Sequence, residues 1–68
     1  MDILTSFVVT IDRYGTEYMH RVTGITIMPN NQVLYNCDGV LYDDVVIDYP
    51  IELTRIPGYR YLYERVNI

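Results

Sequence analysis

The 68-residue sequence contains no tryptophan and no lysine, and its only cysteine is Cys37. A lone cysteine cannot form an intramolecular disulfide, whereas small secreted domains commonly carry several. The opening residues Met1-Asp2-Ile3 show no basic segment followed by a long apolar one, so no signal peptide is expected. Together these features indicate a reducing compartment, and we expect a cytoplasmic protein.

Long apolar runs and glycine-rich loops are also missing. No run approaches the ~20 apolar residues that cross a bilayer, and no lipidation motif is recognisable at either end. The four glycines are widely scattered, which excludes a phosphate-binding glycine loop. A chain this short without a cofactor motif has few residues to enclose a pocket. We therefore expect a protein that is not an enzyme, with no cofactor and no metal ion.

Positive charge is scarce as well. Nine acidic residues against five arginines give a formal net charge of −4. Binding to nucleic acid backbones depends on positive charge that releases counterions, and anionic membrane surfaces attract basic segments. The sequence therefore argues against direct nucleic-acid binding and against membrane binding.

What the chain does have is apolar and tyrosine-rich. Half of the residues are hydrophobic and eight are tyrosine, which predicts a folded domain rather than a disordered one. We expect one domain over residues 1–68. A chain of this length buries only about 60% of its unfolded surface, so its core is marginal. We therefore expect the chain to self-associate, at least as a dimer, because an interface would bury additional apolar surface.

Alternation of apolar and polar residues predicts an all-β fold. No window sustains a helical period, and turn residues separate short β-branched runs. Gly24 interrupts the alternation of the second run, which predicts a bend or bulge that lets a sheet curl and that a side chain at this position would disturb. We expect a small antiparallel SH3-like barrel, or a curled sheet, of five to six short strands. The predicted strands cover residues 3–12, 16–28, 33–37, about 40–49, 51–56 and 59–66, the last two forming a hairpin around Pro57-Gly58.

The central part of the chain resembles a known group of proteins. The runs Val22–Pro29, Val33–Tyr35 and Asp38–Val45 are similar to small SH3-like barrel proteins encoded by bacteriophages, with the patterns V-x-G-I-x-I, V-x-Y, D-G and Y-x-x-V. The resemblance covers about residues 7–48. It implies a phage or prophage origin and a role in modulating host machinery or host defence. It assigns no functional residue.

Three tyrosines at every second position stand near the C-terminus: Tyr59, Tyr61 and Tyr63. In a strand these rings line one face, while Arg60 lies on the other. The tyrosine face could belong to the core, or it could contact a partner. Tyrosine and arginine are enriched at protein interfaces, and the acidic net charge weighs against nucleobase stacking. We expect protein contact, because other residues can fill the core: Phe7, Val9, Ile11, Val22, Ile25, Ile27, Val33 and Val45.

Four aspartates lie close together in sequence, at positions 38, 43, 44 and 48. They could bind a cation, act as an acid–base pair or imitate phosphates, but the spacing does not match a calcium loop. Turn formation and solubility are the simpler interpretation. Asp43 and Asp44 are retained as candidate partner-binding residues. His20 and Cys37 could form a nucleophilic pair, but no third group can be named, so a structural role is favoured.

Three functions follow as alternatives. The first is a phage-encoded interaction module that inhibits a host protein or defence system by protein contact. The second is an oligomeric protein that sequesters a small anionic, nucleotide-type ligand. The third is an assembly module that pairs through edge strands. The partner-binding residues expected for the first are Tyr59, Tyr61, Tyr63, Arg60, Asp43 and Asp44.

Overall fold

Two three-stranded antiparallel sheets form the fold in a computed structural model that describes residues 3–47 and 50–67. Within these ranges there is no α-helix, and a short 3-10 helix spans Leu53–Arg55. The predicted all-β class is confirmed. The strands are β1 (Ile3–Ile11), β2 (Glu17–Arg21), β3 (Gly24–Ile27), β4 (Val33–Cys37), β5 (Val40–Tyr42) and β6 (Arg60–Asn67).

The first sheet has the order β2-β1-β6, and the second has the order β3-β4-β5. β1 is central in the first sheet. Its pairing with β6 runs from Ile3 opposite Asn67 to Thr10 opposite Arg60. The first and last strands are therefore direct antiparallel neighbours.

A bend between β2 and β3 connects the two sheets. The amide of Val22 donates to the carbonyl of Ser6 in the first sheet, over 2.9 Å. The next amide, that of Thr23, donates to Asn36 in the second sheet, over 2.8 Å. Since successive amides point to opposite edges of a strand, one continuous segment serves both sheets. The predicted interruption near Gly24 is confirmed as a change of sheet.

The expectation that a side chain at Gly24 would disturb the bend is wrong, however. Its φ is not in the left-handed region, which among the glycines is adopted by Gly15, Gly39 and Gly58. A Cβ atom built on Gly24 has no heavy atom within 4 Å. The bend therefore does not require a glycine.

The opposite side of the fold is joined by a single parallel bridge between Val46 and Tyr61. The amide of Leu62 donates to the carbonyl of Val46 over 3.0 Å. Among residues 3–47 and 50–67, this bridge is the only strand pairing that joins the two sheets on this side. The protein is thus a curled arrangement of two sheets and not a closed barrel.

The hairpin at Asp38-Gly39 is confirmed. Both residues have positive φ, 51° and 85°, as a type I′ turn requires. The turn at Pro57-Gly58 is also present, with Gly58 at φ 81° and a 3.0 Å hydrogen bond from the Tyr59 amide to Ile56.

The strand predicted over residues 51–56 is wrong. This segment forms turns and the 3-10 helix, closed by a 2.9 Å hydrogen bond from the Leu53 amide to Pro50. The Thr54 hydroxyl also donates to the Ile51 carbonyl, over 2.7 Å. The fourth strand ends at Tyr42, well before the predicted end near residue 49. Residues 48 and 49 lie outside the described part of the chain.

The space between the sheets is centred on Val8, which is fully buried. His20 and Leu62 flank Val8 in register, and Cys37 reaches them from the second sheet. Three predicted core residues are instead exposed, which corrects the expected core. Ile25 is 60%, Ile27 69% and Val33 37% exposed.

Candidate functional site

The predicted tyrosine ladder lies on one face of the first sheet, turned away from the second sheet. Register places Tyr61 beside Val9 and Tyr63 beside Phe7. Val8 and His20, which have the opposite orientation, point towards the second sheet. We call the outer surface the tyrosine face, defined by Phe7, Val9, Ile11, Glu17, Met19, Tyr59, Tyr61, Tyr63 and Arg65.

Tyr61 is the buried centre of this face, with 5% of its surface exposed. Its hydroxyl donates to Glu17 Oε2 over 3.3 Å. Because β1 lies between β6 and β2, the side chain crosses β1 to reach this partner. Val9 and Ile11 of β1 belong to the same cluster and are 1% and 3% exposed. Tyr61 therefore covers a small core of its own.

Tyr59 and Tyr63 are half-buried and pack against this cluster. The Tyr59 and Tyr61 ring centroids are 6.2 Å apart, and those of Tyr63 and Phe7 are 6.4 Å apart. These distances are typical of tilted aromatic pairs. The expectation that the ladder contacts a partner stays a prediction. Tyr59 and Tyr63 are the two ladder residues whose rings are partly exposed.

A groove with a volume of about 190 Å³ opens on the tyrosine face. Met19 is 50% exposed on this face. The guanidinium of Arg65 lies 5.2 Å from the centre of the Phe7 ring, within the range of a cation–π contact. Two groups of opposite charge thus stand on the outer strands of the sheet, Glu17 on β2 and Arg65 on β6. The groove is lined by Val9, Glu17, Met19, Tyr61, Tyr63 and Arg65.

Arg60 and Asp43 lie together, but away from the groove. Alternation along β6 turns Arg60 from the tyrosines, and its Nη2 is 4.0 Å from Asp43 Oδ1. Asp43 also accepts from Gln32 Nε2 over 3.3 Å. Asp44 is exposed, in a turn with φ 50°. The six residues predicted from the sequence are therefore divided between the tyrosine face and the opposite side of the sheet. Only Tyr61 and Tyr63 among them line the groove.

His20 and Cys37 are neighbours but are not arranged as a nucleophilic pair. The Cys37 thiol donates to the backbone carbonyl of His20 over 3.6 Å, and the imidazole Nε2 is 2.9 Å from the Thr10 hydroxyl. Burial raises the pKa of the Cys37 thiol, which keeps it in the neutral form. Among residues 3–47 and 50–67, no group of three or more His, Cys, Asp or Glu side chains could hold a metal ion.

Sequence reasoning missed Asp12, which organises the turn between β1 and β2. Its Oδ1 accepts from the amides of Tyr14 and Thr16, each over 2.9 Å. Its Oδ2 accepts from the Tyr18 hydroxyl over 3.1 Å. The Thr16 amide is the main cause of the lowered pKa of Asp12, with the Tyr14 amide and the Tyr18 hydroxyl adding to it. An aspartate directly before a turn containing glycine was the available signal.

Comparison with protein-family models, with curated proteins and with solved structures found no match. Within the part of the chain that the structure describes, no helix is long and apolar enough to cross a bilayer. The geometry of the tyrosine face is consequently the basis for proposing a function.

Proposed function

We propose that this chain is a non-enzymatic interaction module that binds another protein through the groove of the tyrosine face. The observation that carries the proposal is the groove itself, with its aromatic and apolar floor between Glu17 and Arg65. Interface centres are enriched in tyrosine, methionine and arginine, and a partner side chain that fills such a depression becomes an anchor of the complex.

The size of the groove favours a protein partner over a small ligand. Small-molecule pockets typically enclose about 300–1,000 Å³ and bury most of the ligand, whereas this groove has about 190 Å³ and is open to solvent. A single protruding side chain fits that space. Met19, which is 50% exposed, is flexible enough to adapt to it.

The distribution of charge also favours a protein partner. Arg60 faces Asp43 on the other side of β6, so the arginine at the groove is Arg65. The chain as a whole carries −4, which disfavours phosphate-rich partners. A protein surface that presents an apolar side chain flanked by charges of both signs would complement Glu17 and Arg65.

The more specific part of the proposal is that the partner is a host protein and that the chain is a phage-encoded inhibitor of it, or of host defence, acting in the host cytoplasm. Its support is the resemblance of residues 7–48 to small phage proteins, together with the size and acidity of the chain.

The test uses variants that alter the groove and leave the fold in place. Tyr61 is unsuitable because it is buried, so we choose Met19→Gln and Arg65→Gln, which are similar in length to the native side chains. Tyr14→Ser is the matched control, because Tyr14 is 77% exposed in the β1–β2 turn. Tagged wild-type protein is used to capture a partner from a bacterial lysate, and its affinity for each variant is then measured by titration calorimetry.

The expected result is that the groove variants weaken binding about tenfold or more, with the melting temperature and the affinity of Tyr14→Ser unchanged. If both groove variants bind as tightly as wild type, the groove is not the contact surface. Binding of DNA, RNA or a nucleotide in place of a protein would contradict the proposal as well.

A further inference from the structure

A second exposed apolar surface lies on the hairpin of β3 and β4. Residues directly opposite each other in an antiparallel pair project to the same face. Ile25 is opposite Tyr35, and Ile27 is opposite Val33. These four side chains form what we call the β3–β4 face, on which Ile25 is 60%, Ile27 69% and Val33 37% exposed.

The β3–β4 face is an uncovered part of the inner face of the second sheet. Tyr42, opposite Tyr35 in β5, packs its ring 5.5 Å from that of His20 in the first sheet. Cys37, two residues from Tyr35 on the same side of β4, is 3% exposed. The second sheet thus extends beyond the first one. Its inner face is covered at Cys37, although Val40, opposite Cys37 in β5, is 51% exposed. The face is open at the end near Ile27.

None of the four side chains of this face is charged. The segment from Val22 to Cys37 contains no Asp, Glu, Lys or Arg, although the chain as a whole carries −4. Two copies of an acidic protein repel each other over most of their surfaces. The β3–β4 face is a place where they can meet without that repulsion.

The chain also exposes more surface than a compact monomer of its mass. The chain exposes 5163 Å², whereas a monomer of 8.0 kDa is expected to expose about 4,450 Å². The difference of about 700 Å², summed over the whole chain, is of the same order as the roughly 800 Å² that each partner buries in a stable complex. The Cα radius of gyration, 12.6 Å, likewise exceeds the value of about 10.9 Å expected for a compact domain of this length.

From these observations we infer that the β3–β4 face is a homodimer interface, on which a second copy of this chain packs its own β3–β4 face about a two-fold axis. A face that meets its own copy must be self-complementary, and an uncharged surface of branched aliphatic side chains satisfies that condition. The interface lies on the second sheet and the groove on the outer side of the first. The dimer would therefore present two grooves, which raises avidity for a partner with two sites. The inference does not depend on the proposed function.

The experiment is sedimentation equilibrium of the full chain from low to high micromolar concentration, with Ile27→Glu as the test variant. Leu41→Glu is the matched control. Leu41 is 57% exposed and stands opposite Asn36, on the other face of the same sheet. Since both residues are exposed, both variants should fold, and far-ultraviolet circular dichroism verifies this. Wild type and Leu41→Glu are expected to be dimers with equal dissociation constants, and Ile27→Glu to dissociate about tenfold more readily or to be monomeric.

A monomeric wild type at every concentration would overturn the inference, as would an Ile27→Glu dimer as tight as wild type. Equal weakening by Leu41→Glu would also overturn it, because the effect would then come from added charge anywhere on the sheet. If Ile27→Glu does not fold, isotope-filtered NMR of a mixed labelled and unlabelled wild-type sample decides. Contacts between copies at the Ile25 and Ile27 methyl groups support the interface, and their absence in a dimer overturns it.

Discussion

The hydroxyl of Tyr61 and the carboxylate of Glu17 are joined by a 3.3 Å hydrogen bond across the width of the first sheet. The two residues are 44 positions apart and lie on the two outer strands, with β1 between them. One side chain therefore connects all three strands and shields Val9 and Ile11 from water. The floor of the proposed binding groove depends on this arrangement.

Truncation of Tyr61 should accordingly destabilise the protein. Tyr61→Ala removes a large ring that is 5% exposed, and losses of about 3–5 kcal/mol in the free energy of unfolding are typical of buried aromatic residues. Tyr61→Phe keeps the ring and loses only the hydroxyl bond, at a cost of about 0.5–1.5 kcal/mol. Urea denaturation measures both. If Tyr61→Ala were as stable as Tyr61→Phe, the ring would not be covering a core.

Asp12 should make stability depend on acid pH. Its pKa is lowered in the fold from the ordinary value of 3.8 by the hydrogen bonds it accepts. A carboxyl whose folded pKa is depressed contributes stability above its unfolded pKa and loses that contribution as pH falls through the folded pKa. Asp12→Asn, which cannot titrate, should therefore differ from wild type most near neutral pH and least at the acid end.

The measurement for Asp12 is the melting temperature across the acid range, with Asp44→Asn as control. Asp44 is exposed in a turn of positive φ that asparagine also accepts. A constant difference between wild type and Asp12→Asn at all pH values would show that the carboxylate charge has no part in holding the turn.

Cys37 should be slow to react and should destabilise the fold at alkaline pH. Burial raises the pKa of its thiol above the ordinary value of 9.0. For an acid whose folded pKa is raised, the contribution to stability is complete below the unfolded pKa and is lost as pH rises through the folded one. We expect wild type to lose stability above about pH 9 more steeply than Cys37→Ser does. Alkylation of the native thiol at pH 8 should be much slower than in urea, and equal rates would contradict its burial.

Gly58 and Gly24 should respond differently to the same substitution. Gly58 has φ 81°, so Gly58→Ala places a side chain in the left-handed region at a cost of about 1–2 kcal/mol. Gly24 has no positive φ and has free space where a Cβ would be, so Gly24→Ala should change stability by less than about 0.5 kcal/mol. Thermal denaturation of the two variants provides the comparison. A large loss from Gly24→Ala would restore the idea that the bend itself needs glycine.

The strands that could be predicted were those with strong local signals at both ends. β4 runs from Val33 to Cys37 as expected, because alternation is bounded by the Pro29–Asn31 turn and by Asp38-Gly39. Residues 51–56 contain apolar residues too, but local bonds such as that from Thr54 to the Ile51 carbonyl satisfy the backbone without a partner strand. Such side-chain competition is not visible in an alternation pattern.

The groove could be predicted only in part. Alternation alone put the three tyrosines on one face. That Glu17, Met19 and Arg65 join them depends on the register of β2 and β6 against β1, which is set by contacts between distant parts of the chain. Ile25 and Ile27 were wrongly predicted to be buried in the core. Their pattern is typical of a buried strand face, and nothing local shows that the second sheet extends past the first.

The pairing of Ile3 with Asn67 also determines how the fold resists mechanical force. β1 and β6 are antiparallel, and these residues form the pair at one end of the ladder. Tension applied between them acts along the inter-strand hydrogen bonds, which lie perpendicular to the strands. The bonds then break one after another, beginning at that end, instead of sharing the load in shear. Threading by a pulling protease or unfoldase from this end would therefore begin by peeling apart β1 and β6, which together carry Tyr61, Val9 and Ile11.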